Sequence, residues 1–258
     1  MGFAKEGFNG LVVSWRPAMA VIALFGAIGF LGLLSGMKDA LPTPKSEQHD
    51  RAVKSLAVLG NRKLLGGALV TVLAYAGSFT AYTYIAPILT EVTGVTGTTV
   101  SLYMLIYGVM AAIGNILGGK LTDRAGVNTS NVIIISGVTL VVLSMWIFAA
   151  SSVAMIVLVG LLGMLTFGAV PALQARLFSI AEKHAPHAHG VASGLNIAGF
   201  NSGIALGSVL GSLTITHAGI TFTGLTAAVI ALSGLMLLSA QVTRSKRFNL
   251  LSANELSH

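Results

Sequence analysis

Gly114-Asn115-Ile116-Leu117-Gly118-Gly119-Lys120-Leu121-Thr122-Asp123-Arg124-Ala125-Gly126 carries the chain from an uncharged apolar run into a charged, glycine-bounded turn. Upstream, Thr99 to Leu117 has no charge and is apolar on every face, the pattern of a helix surrounded by lipid or by other helices. Gly114 and Gly118 lie one helical turn apart, so a neighbouring helix can approach closely on that side. Lys120, Asp123 and Arg124 then arrive together. In hydrocarbon each would cost about 2.5 to 3.5 kcal/mol, so the stretch marks an exit from a membrane.

The composition agrees. Of 258 residues, 54% are hydrophobic and only 9% charged, with a mean hydropathy of +0.85, outside the range of an ordinary soluble domain. The chain reads as an all-α polytopic membrane protein. A span takes about 20 apolar residues, so this length holds roughly seven or eight spans with short loops, and not twelve. The formal charge of +7 signals topology and not a nucleic-acid surface, because basic residues on a membrane protein mark its loops. With no cysteine, disulfides, thiolate metal sites and cysteine nucleophiles are excluded. Met1 to Arg16 carries Lys5 and Glu6 and meets Trp15-Arg16-Pro17 before any long apolar run, so it does not read as a cleavable leader.

Seven spans are predicted, over residues 18–37, 64–90, 99–119, 132–150, 153–178, 191–216 and 222–242. They divide the chain into an outer segment and first helix (1–37), a basic loop (38–63), a six-helix unit (64–242) and a polar tail (243–258). Thirteen of the fifteen Lys and Arg residues fall in alternate connections, in the tail or, for Arg176, at the adjoining end of a span, leaving only Lys5 and Arg16 on the other side. By the positive-inside rule, the basic loops and the carboxyl terminus are cytoplasmic.

Gly119 to Gly126 resembles the cytoplasmic loop motif G-x-L-x-D-R-x-G of the major facilitator superfamily. Three further stretches are similar to the carboxyl-terminal half of bacterial drug and sugar efflux permeases of the arabinose-efflux-like branch. These are Tyr82-Thr83-Tyr84-Ile85-Ala86-Pro87, Val170-Pro171-Ala172-Leu173-Gln174, and Ser193-Gly194-Leu195-Asn196 through Phe200-Asn201 to Gly207. On that resemblance the chain corresponds to family spans six to twelve: one helix, the loop between halves, and one six-helix half of a fold whose substrate site lies between halves. The family often follows its motif with basic residues, whereas Val127 and Asn128 follow Gly126 here, as in weaker second copies. The resemblance implies a gating role for Gly119, Asp123, Arg124 and Gly126, with Asp123 docked on the amino terminus of a helix from the other half, where the helix dipole favours an acid.

Candidate functional side chains follow from position. Tyr75, Phe79 and Tyr82 recur at helical spacing, as do Tyr103 and Tyr107. Tyr75, Phe79 and Tyr107 are cavity candidates, with core packing as the alternative; Tyr82 and Tyr84 suit an interfacial belt. Among the amides Asn115, Gln174, Asn196 and Asn201, the last is the candidate for the cavity, and bonding across helices is the ordinary role of such groups. Gly199, Gly203, Gly207 and Gly211 form a stripe on which another helix can pack or slide. Arg176 is expected to snorkel to the inner face. His184, His187 and His189 read as a solvated loop and not a metal site.

None of the eight acids lies inside a predicted span, so a proton-coupling carboxylate, which such transporters usually need, would sit in the other half. The expected function is secondary, proton-coupled efflux of a small organic solute or drug across a bacterial-type inner membrane, without metal or cofactor. The expected partners are the lipid bilayer, the solute, protons, and the amino-terminal half or another copy of the chain. The alternative is a membrane-embedded interaction fragment without transport. No G-x-S-x-G, H-E-x-x-H or paired intramembrane acids point to an enzyme.

Overall fold

The computed structural model describes residues 15–36, 60–184 and 189–255. The outer segment before Trp15, most of the basic loop, His187 and the last residues of the tail lie outside them. The helices are α1 (Trp15–Gly36), α2 (Arg62–Tyr82), α3 (Gly97–Ala125), α4 (Val127–Ile147), α5 (Ser152–His184), α6 (His189–Ala218) and α7 (Thr223–Glu255). Short turns at Ile85–Pro87, Ile88–Val92 (π-helical) and Ile220–Phe222 complete them, and no strand occurs among the described residues. Six of the helical stretches, all except α1, are long and apolar enough to cross a membrane. The protein is an all-α polytopic membrane protein.

Helix α1 and the six-helix bundle fall into separate compact units. Every described side chain of α1 is exposed, including Phe25 and Leu31, as in a helix that is apolar all round and faces lipid.

Within the bundle, local chemistry sets the helix ends. Asn61 caps α2 by accepting from the Lys63 and Leu64 amides at 2.9 and 3.5 Å, and Thr96 caps α3. The expected charged turn after residue 119 is corrected: α3 stays helical through Lys120, Asp123 and Arg124 to Ala125. At 29 residues and about 1.5 Å each, α3 exceeds a hydrocarbon core of about 30 Å, so its charged turns stand beyond the membrane while keeping their backbone bonds. The turn itself is Gly126, whose φ of 81° favours glycine. Its N–H closes α3 on the Thr122 carbonyl, and its own carbonyl accepts from Ser130 to open α4. For the same reason α5 continues to His184 and α7 to Glu255, where polar loop and tail were expected.

Helix α2 is the centre of the bundle. It packs between α6 and α7 and touches α5; α5 in turn holds α3 and α4, and α4 closes on α7. Helices α3 and α6 are the flanks, each packed mainly on one neighbour and each least buried among the six. Glycines make both flanking crossings. A Cβ on Gly114 or Gly118 of α3 would collide with the carbonyls of Met164 and Gly168 on α5. On α6, the stripe Gly199, Gly203, Gly207 and Gly211 runs along α2: a Cβ on Gly203 would lie 2.7 Å from the Val72 carbonyl and one on Gly207 2.5 Å from that of Ala76.

Overpacking at such a crossing costs about 1 to 3 kcal/mol. Gly118→Ala is therefore expected to lower the thermal midpoint in detergent. Gly108→Ala, on the same helix but with open space around it, should be neutral or slightly stabilising through helix propensity, by up to about 1 kcal/mol. Equal midpoints for the two variants would contradict this crossing.

Candidate functional site

The turn-by-turn spacing of Tyr75, Phe79 and Tyr82 on α2 places three rings in one row. Tyr75 stacks on Phe79 with centroids 5.7 Å apart, and Phe79 meets Tyr82 edge-on at 5.3 Å. The flanks extend the row at both ends. Phe200 of α6 lies 4.4 Å from Tyr75, while Tyr107 of α3 stacks on Tyr82 at 4.5 Å and meets Phe167 of α5 edge-on at 6.2 Å. Six aromatic rings thus run continuously over α6, α2, α3 and α5. Pair geometries of this kind add about 0.5 to 1.5 kcal/mol each beyond area burial.

At the Tyr82–Tyr107 end the row opens into a cavity of ≈530 Å³ with Met104, Ala111, Asn115 and Phe167 in its wall. Tyr82, for which an interfacial belt was expected, stands in this wall at the end of α2, stacked on Tyr107. Tyr75 is buried and donates to the Thr166 carbonyl at 3.3 Å. Further along α5, Pro171 has no N–H to bond the Phe167 carbonyl, which loosens the helix next to the Phe167 ring. Phe79 is half-buried in the row. The Tyr107 hydroxyl on α3 faces the Thr166 hydroxyl on α5, and both are buried.

The amides divide differently from expectation. Asn201 is exposed on the side of α6 away from α2, with its amide returned to the Ile197 carbonyl at 2.9 Å, and lines neither described cavity. The buried position belongs to Asn196. It accepts from the Thr71 hydroxyl at 3.0 Å and donates to Gln174 at 2.5 Å, and Gln174 donates to Ser193 at 3.2 Å. This chain of bonds ties α2, α5 and α6 together next to the aromatic row. Phe167, Phe200 and the central role of Asn196 were not singled out in the sequence. Phe200 and Asn196 fall in a stretch that carries the family resemblance, but nothing in local spacing showed which way they face.

Arg176 is also corrected. It is 5% exposed and donates to the Gln241 side chain at 2.6 Å, while Gln241 donates to the Gly66 carbonyl at 3.0 Å. The guanidinium turns into the bundle because Gly66 and Gly67 leave room there and Gln241 offers an acceptor. The loop-motif residues Asp123 and Arg124 are exposed, and a Cβ at Gly119 would meet open space. His184 is exposed and its ring contacts only the Ile180 carbonyl of its own helix.

A sequence model of the Major Facilitator Superfamily matches residues 7–196 and 69–255. The chain is 37% identical to the uncharacterized MFS-type transporter YtbD of Bacillus subtilis (strain 168), over 84% of this chain and 54% of the relative. It is 32% identical to the inner membrane transport protein YdhP of Escherichia coli (strain K12), over 95% of this chain and 61% of the relative. It is 27% identical to a protein named as a probable sugar efflux transporter of Mannheimia succiniciproducens, over 89% of this chain and 56% of the relative. The chain thus spans between half and two thirds of the length of these relatives.

Asn196→Leu would strand the Thr71 and Gln174 groups, a loss of about 1 to 3 kcal/mol for buried polar atoms. Its thermal midpoint should fall well below that of Asn201→Leu, whose amide bonds only its own helix and whose loss should stay within about 0.5 kcal/mol. Matching midpoints would contradict the bridging role of Asn196.

Proposed function

This chain belongs to the major facilitator superfamily, and on that premise we propose that it forms the carboxyl-terminal part of a secondary efflux transporter for a small organic solute or drug. The aromatic row that ends in the ≈530 Å³ cavity carries the reading. A cavity of this size, mostly apolar with a few polar groups, suits a drug-sized molecule. Tyr82 and Tyr107 stand in its wall, Tyr75 and Phe79 continue the row behind them without lining it, and Asn201 stands on an open face of α6 where a second wall would approach. The opposite wall comes from an amino-terminal half or a second copy, received by the sides of α3 and α6 that the bundle leaves uncovered.

In this reading the basic loops and the carboxyl terminus are cytoplasmic and the membrane is a bacterial inner membrane, in keeping with the name of the Escherichia coli relative. Efflux is in keeping with the Mannheimia relative. Protons drive the exchange through an acid outside this chain's spans, since Asp123 and Glu182 stand exposed near helix ends. Asp123, at the mobile seam between halves, closes the inner gate by docking on a helix amino terminus, where the dipole favours an acid by about 0.3 to 1 kcal/mol. Gly119, Arg124 and Gly126 shape that seam. The alternative, an interaction fragment without transport, is separated by the same experiment.

Counterflow of a labelled substrate into proteoliposomes tests the reading, with this chain alone and with five preceding spans supplied. Transport is expected with the spans restored, and uptake no higher than in empty vesicles for both preparations would overturn it. In the restored transporter Tyr107→Ala should lower the rate by roughly tenfold or more, a contribution of about 1.4 kcal/mol, while Leu140→Ala on the outer face of α4 should not. Asp123→Asn should impair the restored transporter and change little in the chain alone; equal effects in both would count against the clasp.

A further inference from the structure

A second concavity, of ≈350 Å³, lies on a different face of α3 from the aromatic cavity. Its floor is the α3–α5 crossing, where Gly114 and Gly118 meet Gly168 without side chains between them, and its walls include Leu117, Leu165 and Ile134 of α4. At its mouth stand Lys120 and Arg124, one helical turn apart and so on the same side of α3. Both are exposed, and neither has a hydrogen bond or ion pair among the described residues. Asp123, the nearest acid in sequence, does not line the groove.

The groove is apolar along the part of α3 that is inside hydrocarbon and cationic where α3 leaves it. We infer that it binds an anionic phospholipid, with one acyl chain between α3, α4 and α5 and the phosphate held between the Lys120 ammonium and the Arg124 guanidinium. The volume falls at the low end of the range for small-molecule pockets, about 300 to 1,000 Å³, which suits a single chain and not a whole lipid. The two cations supply complementary charge at headgroup depth, and the guanidinium fork matches phosphate oxygens. A zwitterionic lipid offers the same chain but no net charge to the pair. A free phosphate offers the charge but leaves the apolar groove unfilled. This site is separate from the aromatic cavity but shares Arg124 with the proposed seam, so its test reads lipid binding and not transport.

Native mass spectrometry of the full chain in detergent, titrated with phosphatidylglycerol or with phosphatidylcholine of the same acyl chains, provides the test. One phosphatidylglycerol is expected to bind in preference to phosphatidylcholine. The double variant K120Q/R124Q should weaken it about thirtyfold, from two interfacial cations. The control K183Q/R244Q, two exposed cations elsewhere, should retain wild-type binding. Leu117→Trp, which fills the groove without changing charge, should also weaken binding, and millimolar inorganic phosphate should not displace the lipid. Equal binding by wild type and K120Q/R124Q, equal affinity for the two lipids, or full displacement by phosphate would each overturn the proposal.

Discussion

Close approach of helix backbones is the constraint on which this bundle depends. Between helices in lipid there is little hydrophobic driving force, because lipid tails are as apolar as leucine, so association rests on contact packing and hydrogen bonds. Glycine makes that contact possible at both flanks. Gly114 and Gly118 seat α3 against the Met164 and Gly168 backbone, and Gly163 lies directly under the Tyr107 carbonyl. On the other side, four glycines of α6 meet Thr71, Tyr75, Ala76 and Thr80 along α2 and Tyr84 just beyond it. If either crossing opened by the width of a methyl group, Tyr107 would leave Tyr82, or Phe200 would leave Tyr75. The aromatic row is therefore a consequence of the glycines.

Polar groups inside the bundle follow a second rule, that each must find a partner where water is absent. Most hydroxyls return to the preceding turn of their own helix, as Ser78 does to Ala74 and Thr139 to Ile135. A smaller set crosses between helices and fixes their register. Tyr84 donates to the Ser208 carbonyl at 2.8 Å, Tyr103 to that of Ser152 at 2.7 Å, and the Asn131 amide to that of Ala172 at 2.8 Å. The Arg176–Gln241–Gly66 set does this with a charged group at the basic end of the bundle. The Tyr107 hydroxyl, on a residue in the wall of the aromatic cavity, likewise turns to the Thr166 hydroxyl of α5.

Much of this was legible in the sequence because membrane spans are local features. Hydropathy alone located the six helices that are long and apolar enough to cross a membrane, while the first of the seven expected spans is a shorter apolar helix. The spacing of Tyr75, Phe79 and Tyr82 predicted a row of rings along one side of α2, since residues a turn apart on a helix are neighbours whatever surrounds it. Gly114 and Gly118 announced a close contact. What spacing could not supply was the identity of the neighbour. Tyr82 has Tyr107 of another helix stacked against it, which no spacing within α2 announces. Arg176 looked like a snorkelling cation until Gln241, far along the chain, was seen to receive it. Asn196 and Asn201 are alike in composition and context, and only the direction of each relative to α2 separates a bridging amide from one bonded to its own helix.

The sequence by itself determined the class of the protein, its six long apolar helices, the positions of its glycine contacts and its family, because hydrophobic length, charge and short motifs act within a turn or two of helix. Helix ends were less well determined: a helix that leaves the membrane keeps its backbone bonds, so α3 ran on through the charged motif and α5 through polar residues. Only the tertiary structure decided which faces meet, and with them the row from Phe200 to Phe167, the Thr71–Asn196–Gln174 bridge and the groove beneath Lys120 and Arg124. Each of these joins residues from separate helices, and their distances are set by how deeply one backbone settles on another.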